Sequence, residues 1–387
     1  MGAHRQLTSI GAVERSGGTI GPDVIVPGSQ QLVPGLLLLL VFVTTAATVV
    51  LVVRRFVRSR RGRPNGRPVF VVPLAAVAVV AAIGAWMLRP PPFFVPRFGA
   101  LPTLMPEDNL FRRTASDLPV SADSDRWTAA IDDIPLRAGF SGRVVDGVVF
   151  GIPYNFVDDS TPRVDVDIKL SPRTSFAGPY PITDPAYIES MPTYGFDMHY
   201  VGVDPTRAQV WELLSTRSWF GRWEADSGAH YRTDSNDYPQ GSTIAAGLPL
   251  LPGTVTYDQV ASGSIDHVML AGISTSAAGE SIWPARRGDG RSPDPDAPPQ
   301  GAWLRLKPDT DLSGLGPQAR VVAVALQRYG LILSDTGPGF AVRGAPDGRW
   351  DNADLDTLRQ ISGADFEVVD PTGIQIAPDS LAVRPPA

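Results

Sequence analysis

Residues 163–170 read RVDVDIKL, a run in which aliphatic side chains alternate strictly with charged ones. Successive side chains of a strand point to opposite faces, so this pattern is typical of a strand with one buried and one solvated face. Asp165, Asp167 and Lys169 then share a face. That charged row could be a metal or substrate site, but we favour the simpler interpretation, the solvated face of an edge strand.

Similar short runs recur along the chain and are separated by clusters of Gly, Pro and Asp. Short β-branched or aromatic runs bounded by turn residues indicate strands. They lie at residues 144–157, 163–170, 199–204, 208–214, 267–273, 303–307, 331–335, 340–344 and 366–370. Capping patterns predict helices at 123–131, 316–330 and 351–361. The density of short strands predicts a mainly antiparallel β-sandwich, or a closely related fold, over residues 115–372.

Two uncharged apolar runs precede this part of the chain, at residues 32–53 and 69–88. Each is long enough for a helix that crosses the ~30 Å hydrocarbon core of a bilayer. The loop between them, residues 54–68, is rich in arginine, which by the positive-inside rule places it in the cytoplasm and both termini outside. The predicted localisation is therefore the cell membrane, with two spans and the bulk of the chain outside.

The complete predicted organisation is that of a membrane-anchored, mainly β protein. Two N-terminal transmembrane helices carry a large extracytoplasmic β-sandwich-like domain with a few helices. The segments are a polar tail at 1–31, the spans at 32–53 and 69–88, the basic loop at 54–68, a Pro-rich stalk at 89–114, the β-rich domain at 115–372 and a C-terminal tail at 373–387.

Charge and composition exclude several classes of function. The net charge is −6, but residues 1–89 hold ten arginines against only two acids, so the β-rich domain is acidic. An acidic surface repels phosphates, which argues against nucleic acid as a partner. The chain has no cysteine, so a thiol nucleophile and a Cys-ligated zinc site are excluded. No metal or cofactor is predicted.

The short motifs that identify common enzymes are missing from the sequence, among them GxSxG, HExxH, the Walker loop and GxGxxG after a strand. Glycan hydrolysis needs only two suitably placed carboxyl groups and has no short motif. Tryptophan rings can stack on sugars, although most of those in this domain are expected in the core. His199 and His267 lie in strand-like runs, where each is either a hydrogen-bonded core residue or a tuned acid/base.

Several motifs in a fixed order resemble a family of uncharacterised exported bacterial proteins. They are WxAxSGA at 223–229, SN at 235–236, AAGLPxxPG at 245–253, YD at 257–258, WPAR at 283–286, LRLK at 304–307 and ALxxYGxIxxD at 325–335. The match covers about residues 115–370. Two acids common in the family are missing here, where Arg232 and Ile244 stand instead. Either those acids are not catalytic or this member has become a binding or scaffold protein.

The resemblance implies a candidate site from the polar residues that fit the pattern. Asp258 and Asp335 would form the carboxyl pair, and His199 or His267 would shuttle the proton. The predicted substrate-binding residues are Asn236, Arg286, Lys307, Trp223 and Trp283.

Two functions of different classes fit these observations. The first is a membrane-anchored cell-envelope protein whose β-rich domain binds an envelope polysaccharide, with or without cleaving it. Such an enzyme would be a glycan hydrolase or lyase using a carboxylate pair. The alternative is a non-catalytic scaffold that docks other envelope proteins. The predicted partners are thus the lipid bilayer, an envelope polysaccharide and other envelope proteins. A calcium-stabilised module ranks last, because no aspartate cluster has EF-hand spacing.

Overall fold

The computed structural model describes residues 95–191, 195 and 197–385. Its strands β1 to β16 are Leu136–Ala138, Asn155–Phe156, Arg163–Val164, Val166–Ile168, Tyr180–Pro181, Tyr200–Asp204, Gln209–Leu214, Arg217–Trp219, Arg222–Ala225, Ser227–Arg232, Gln240–Gly241, Met269–Ile273, Trp303–Leu306, Leu331–Thr336, Phe340–Val342 and Phe366–Val369. Helices α1 to α4 are Ser124–Ala129, Tyr257–Ser262, Pro317–Arg328 and Asn352–Leu355. Short 3-10 helices are Leu110–Arg112, Leu251–Gly253, Asp356–Gln360 and Gly363–Asp365.

Within these residues no helix is both long and apolar enough to cross a bilayer. The longest one, α3, has 12 residues, which at ~1.5 Å per residue is roughly 18 Å, well short of the ~30 Å hydrocarbon core. This finding contradicts the predicted membrane-anchored fold class and two-span localisation. The architecture that the structure supports is mainly β with several sheets. The predicted spans at 32–53 and 69–88, the tail at 1–31 and the loop at 54–68 lie outside the described residues.

The largest sheet has six strands in the order β1-β15-β12-β14-β13-β16. Strands β12 and β14 are parallel, as are β1 and β15, so the sheet is mixed and not the mainly antiparallel one expected. Strand β13 is antiparallel to β14, and α3 connects the two. The inner strands β12 and β13 are buried almost throughout, which matches their nearly continuous apolar sequences.

Helix α3 lies within the predicted segment 316–330, so that prediction is confirmed. Pro317 occupies the first turn, where its missing N–H is tolerated. The buried face of the helix carries Ala319, Val322, Ala323, Ala325 and Leu326. They pack with Leu304, Leu331 and Phe366 in a core cluster on one side of the six-stranded sheet.

A second core cluster lies on the other side and joins the six-stranded sheet to a five-stranded one, β11-β10-β7-β6-β2. Leu270 and Ile332 come from the first sheet, and Val201 and Val210 from the second. The segments predicted as a stalk and a tail contribute as well, since Phe111 and Leu381 are fully buried in this cluster. Both flanking segments therefore pack against the β-rich part of the chain.

The stretch RVDVDIKL forms β3 and β4 in two small sheets. Val166 is buried, whereas Asp165, Asp167 and Lys169 are exposed, as the alternation predicted. Lys169 makes ion pairs with Asp167 and Glu224 at the surface. The charged row is a solvated face in this structure.

The backbone of β11 passes very close to that of β10 at Gly241, and alanine substitutions at two glycines can test this contact. Gly241 and Gly263 both have φ of +89°, but a Cβ at Gly241 would lie 2.1 Å from the carbonyl oxygen of Gly228, whereas one at Gly263 meets nothing within 4 Å. We expect Gly263→Ala to lower the free energy of unfolding by about 1 kcal/mol, and Gly241→Ala by a further ~1–3 kcal/mol because of the overlap. Equal losses in urea unfolding would contradict this close approach of the two backbones.

Candidate functional site

A cluster of ionisable side chains lies where β14 ends and the chain enters β6. It consists of Glu189, Asp197, His199, Asp289, Asp335 and Arg343 and is called the acidic cluster below. Asp335 belongs to β14, and Arg343 directly follows β15. Glu189 and His199 are tied together by a 2.9 Å bond between the amide of Glu189 and the carbonyl of His199.

A β-bulge sets the position of Asp335. The pairing of β12 with β14 shifts by one residue, so that Ala271 is opposite Leu333 and Gly272 is opposite Asp335. Without the bulge, alternation would place Asp335 in the apolar row of Leu331 and Leu333. The extra residue interrupts that row and allows a carboxyl group at the end of a core strand.

His199 is fully buried, and both of its ring nitrogens face hydrogen-bond acceptors. Nδ1 lies 2.5 Å from Oε2 of Glu189, and Nε2 lies 3.1 Å from the carbonyl oxygen of Thr243. A carbonyl and an ionised carboxylate can only accept, so each nitrogen carries a proton. The ring is therefore a buried imidazolium paired with Glu189.

Electrostatics agree with this assignment. Burial disfavours the imidazolium, but the charge of Glu189 and its hydrogen bond outweigh burial and raise the pKa of His199 to about 9. Burial also raises the pKa of Glu189, and the charge and hydrogen bond of His199 reverse this effect, so the pKa of that carboxyl is lowered overall. Glu189 is thus held as a carboxylate.

The environment of Asp335, unlike that of Glu189, favours the protonated carboxyl group. Burial raises its pKa to about 7, with Asp289 and Asp197 adding repulsion, although Arg343 partly opposes the shift. Arg343 donates to Asp335 at 2.6 Å, and each of the two side chains is 14% exposed. Asp335 therefore holds a proton over much of the acid range and can still be reached from solvent.

Asp197 and Asp289 complete the acidic side of the cluster. Burial and the charge of Glu189 raise the pKa of Asp197. Within the part of the chain that the structure describes, the Asp197 carboxyl makes no hydrogen bond or ion pair. Asp289 accepts from the amide and hydroxyl of Thr336 at 3.2 and 2.7 Å and from Gln300.

Glu189, Asp197 and His199 could each offer a ligand atom to a metal ion, since these atoms lie within 4.8 Å of one another. A metal needs a lone pair on a ring nitrogen, however, and both nitrogens of His199 point at acceptors. In this arrangement His199 and Glu189 share a proton, and the chemistry that this pair supports is proton transfer.

The structure gives the two aspartates of the predicted carboxyl pair different partners. Asp335 pairs with Arg343, whereas Asp258, in α2, pairs with Arg349 at 2.7 Å. Arg349 also binds Asp347 at 2.7 Å. Of the predicted proton shuttles, His199 lies in the acidic cluster with Asp335, while His267 lines a separate cavity beside Asp266 and Arg112.

The predicted substrate-binding residues are engaged elsewhere in the fold. Asn236 binds Asp108 and Asn109 at 2.9 and 2.8 Å, which anchors the segment before the first 3-10 helix. Arg286 lies over the ring of Tyr238 at 4.7 Å. Lys307 donates to the carbonyl of Ala364 at 2.7 Å.

The two predicted tryptophans also lie apart. Trp223, in β9, packs at the edge of a third core cluster around Tyr200 and Leu213. Trp283 packs against the second core cluster. The two rings therefore belong to different packing environments and do not form one stacking platform.

Sequence reasoning missed Glu189, Asp197, Asp289 and Arg343. Asp197 had a usable signal, because it precedes His199 by two residues and an extended chain puts both on one face. Glu189 and Arg343 had none, since they reach the site through tertiary contacts alone. The chain matches no family model, no curated protein and no solved structure in the comparisons made. The resemblance to an exported family therefore stays a prediction.

Proposed function

We propose that this domain binds and hydrolyses a polysaccharide at the acidic cluster, with Asp335 as the general acid and Glu189 as the carboxylate that acts with it. The observation that carries the proposal is that burial raises the pKa of Asp335 to about 7, while His199 lowers the pKa of Glu189. Two carboxyl groups whose environments push their pKa values apart are suited to acid and base roles.

Glycoside hydrolysis fits this pair better than other hydrolytic reactions. It requires one carboxylic acid to protonate the leaving oxygen and one carboxylate to attack or to activate water. The chain has no cysteine that could act as a nucleophile. Arg343, beside Asp335, supplies a donor for sugar hydroxyls at the same place.

The test is the release of reducing ends from a panel of soluble polysaccharides by the full chain and by Asp335→Asn. The variant keeps the shape of the side chain but cannot deliver the proton, so we expect turnover to fall by about 10²–10⁴-fold. Asp234→Asn is the matched control, since Asp234 forms an exposed pair with Arg232. It should retain the turnover of the unmodified chain.

A non-catalytic interaction module is the second candidate, favoured by the closed pair of Asp335 and Arg343. In that role the cluster would only join the two large sheets, and Asp335→Asn would change stability. Polysaccharide binding without release of reducing ends would leave a binding domain and remove Asp335 as the acid. If the chain neither bound nor cleaved any polysaccharide of the panel, the proposal would be wrong. Docking of other proteins would then be the remaining candidate function.

A further inference from the structure

A small cavity lies apart from the acidic cluster, with a volume of about 80 Å³. A water needs roughly 10–15 Å³ of such space, so the cavity holds about six waters or a molecule of similar size. Its apolar wall comes from Leu101, Leu104 and Leu251, and its polar groups include Arg112, Gln259 and His267. Residues 101–104 form one wall of the cavity, so this segment is part of a concave site.

His267 presents one unsatisfied nitrogen to this cavity. The side chain is 6% exposed, and its Nδ1 lies 3.0 Å from the carbonyl oxygen of Val268, to which it can only donate. Among the described residues Nε2 has no hydrogen-bond partner. Burial lowers the pKa of His267. The neutral ring with its proton on Nδ1 therefore offers Nε2 as an acceptor.

Gln259 supplies the complementary donor. Its Oε1 accepts from the amide and the hydroxyl of Thr256, at 3.0 and 3.1 Å, which fixes the orientation of the carboxamide. Its Nε2 has no hydrogen-bond partner within the described part of the chain. Hydroxyl groups both donate and accept, so two hydroxyls of one ligand match the acceptor of His267 and the donor of Gln259.

The charge of the cavity indicates a neutral ligand. Arg112 is the cation in its wall, and Asp266 neutralises it in an ion pair of 2.8 Å. An anionic ligand would have to compete with that carboxylate. A polyol instead places its hydroxyls on His267 and Gln259 and its carbon chain along the leucines.

We propose that this cavity binds a small uncharged polyol through His267 Nε2 and the Gln259 carboxamide. The size of the space limits the ligand, or the part of it that enters, to about six non-hydrogen atoms. The proposal is independent of the acidic cluster, since none of the residues that carry it belongs to that cluster. Loss of polysaccharide turnover and loss of polyol binding are therefore separate observations.

The experiment titrates the full chain with glycerol and follows the ¹⁵N resonance of His267 Nε2 together with the backbone amide resonances of Leu251 and Gln259 in the cavity wall. Propan-1-ol serves as a probe of similar length with fewer hydroxyls. Glycerol is expected to bind with a dissociation constant of about 1–100 mM, as its small size allows only a few contacts. His267→Phe keeps an aromatic ring but removes the acceptor, and its glycerol affinity, followed through the two amide resonances, should fall about 10-fold. His230→Phe is the matched control, because His230 stacks between Phe176 and Trp211 and is not in the cavity wall.

Gln259→Met provides a second variant on the half-buried side of the cavity, where misfolding is less of a concern. This variant should also weaken glycerol binding. The His267 Nε2 resonance of the glycerol-free protein should keep its position. Three outcomes would each overturn the proposal. They are a His267 resonance that does not saturate with glycerol, equal shifts with propan-1-ol, and unchanged glycerol affinity in both folded cavity variants.

Discussion

Glu212→Leu is expected to lower the free energy of unfolding by about 4 kcal/mol or more, because buried donors that lose their partner each cost about 1–3 kcal/mol. Glu212 is fully buried in β7. Its two oxygens accept from Tyr231 at 2.6 Å, from Thr243 at 2.8 Å and from the amides of Leu250 and Leu251 at 3.0 and 3.2 Å. Leucine fills the space and leaves all of these donors without that acceptor.

Two further variants make the measurement specific. Glu212→Gln retains one acceptor oxygen, so its loss should lie between that of leucine and zero. Glu280→Leu removes an exposed glutamate and should change the free energy of unfolding by less than about 0.5 kcal/mol. If urea unfolding showed similar stabilities for Glu212→Leu and Glu280→Leu, the four-donor arrangement would be wrong.

The same glutamate connects the core to the acidic cluster. It binds the hydroxyl of Thr243, whose carbonyl oxygen faces His199. Burial raises the pKa of Glu212, while the hydrogen bonds from Tyr231, Thr243, Leu251 and Leu250 oppose that rise. Glu212 is therefore a positioning residue, and Glu212→Gln should shift the ring resonances of His199 even where the fold is retained.

Local pattern predicted the elements of this fold better than their arrangement. Alternation in RVDVDIKL correctly separated buried Val166 from exposed Asp165 and Asp167. Capping signals located α3. The parallel pairing of β12 with β14 could not be seen, because β13 and α3 lie between them in the sequence and strand order is decided by packing against the two core clusters.

In the candidate site, too, local features could be predicted from the sequence and tertiary contacts could not. His199 was identified from its place in an apolar strand-like run, and its burial agrees with that reasoning. Asp335 was identified by type and position, but its raised pKa depends on the bulge in β14 and on neighbours distant in sequence. Asp258 was assigned as its partner from motif position and residue type as well, and neither of these indicates that Arg349 forms an ion pair with the Asp258 carboxylate.

The buried pair of His199 and Glu189 makes stability depend on pH in a definite direction. The pKa of His199 is raised from 6.5 to about 9, so the pair contributes its full stabilisation below pH 6.5 and loses it as the pH rises toward about 9. A shift of this size corresponds to roughly 3 kcal/mol. Urea unfolding across this range should show the decline.

The contributions of other titratable groups to the pH dependence of stability can be distinguished from that of His199. Burial lowers the pKa of both His230 and His267, so these two histidines are neutral in either state above about pH 7.5 and add no slope there. Asp335, with its pKa raised from 3.8 to about 7, lowers stability as the pH rises between those values. Asp335→Asn should therefore flatten the curve below about pH 7 and leave the decline toward pH 9.

Glu189→Gln is the variant that should remove that decline. Without the carboxylate, burial dominates and the pKa of His199 falls, so the ring is neutral in the folded protein above pH 6.5. Breaking a buried pair in this way also lowers the free energy of unfolding at pH 6.5, by about 3–5 kcal/mol. If Glu189→Gln kept the slope between pH 6.5 and 9, the slope would belong to another group. His199 would then not be the buried imidazolium that its two acceptors indicate.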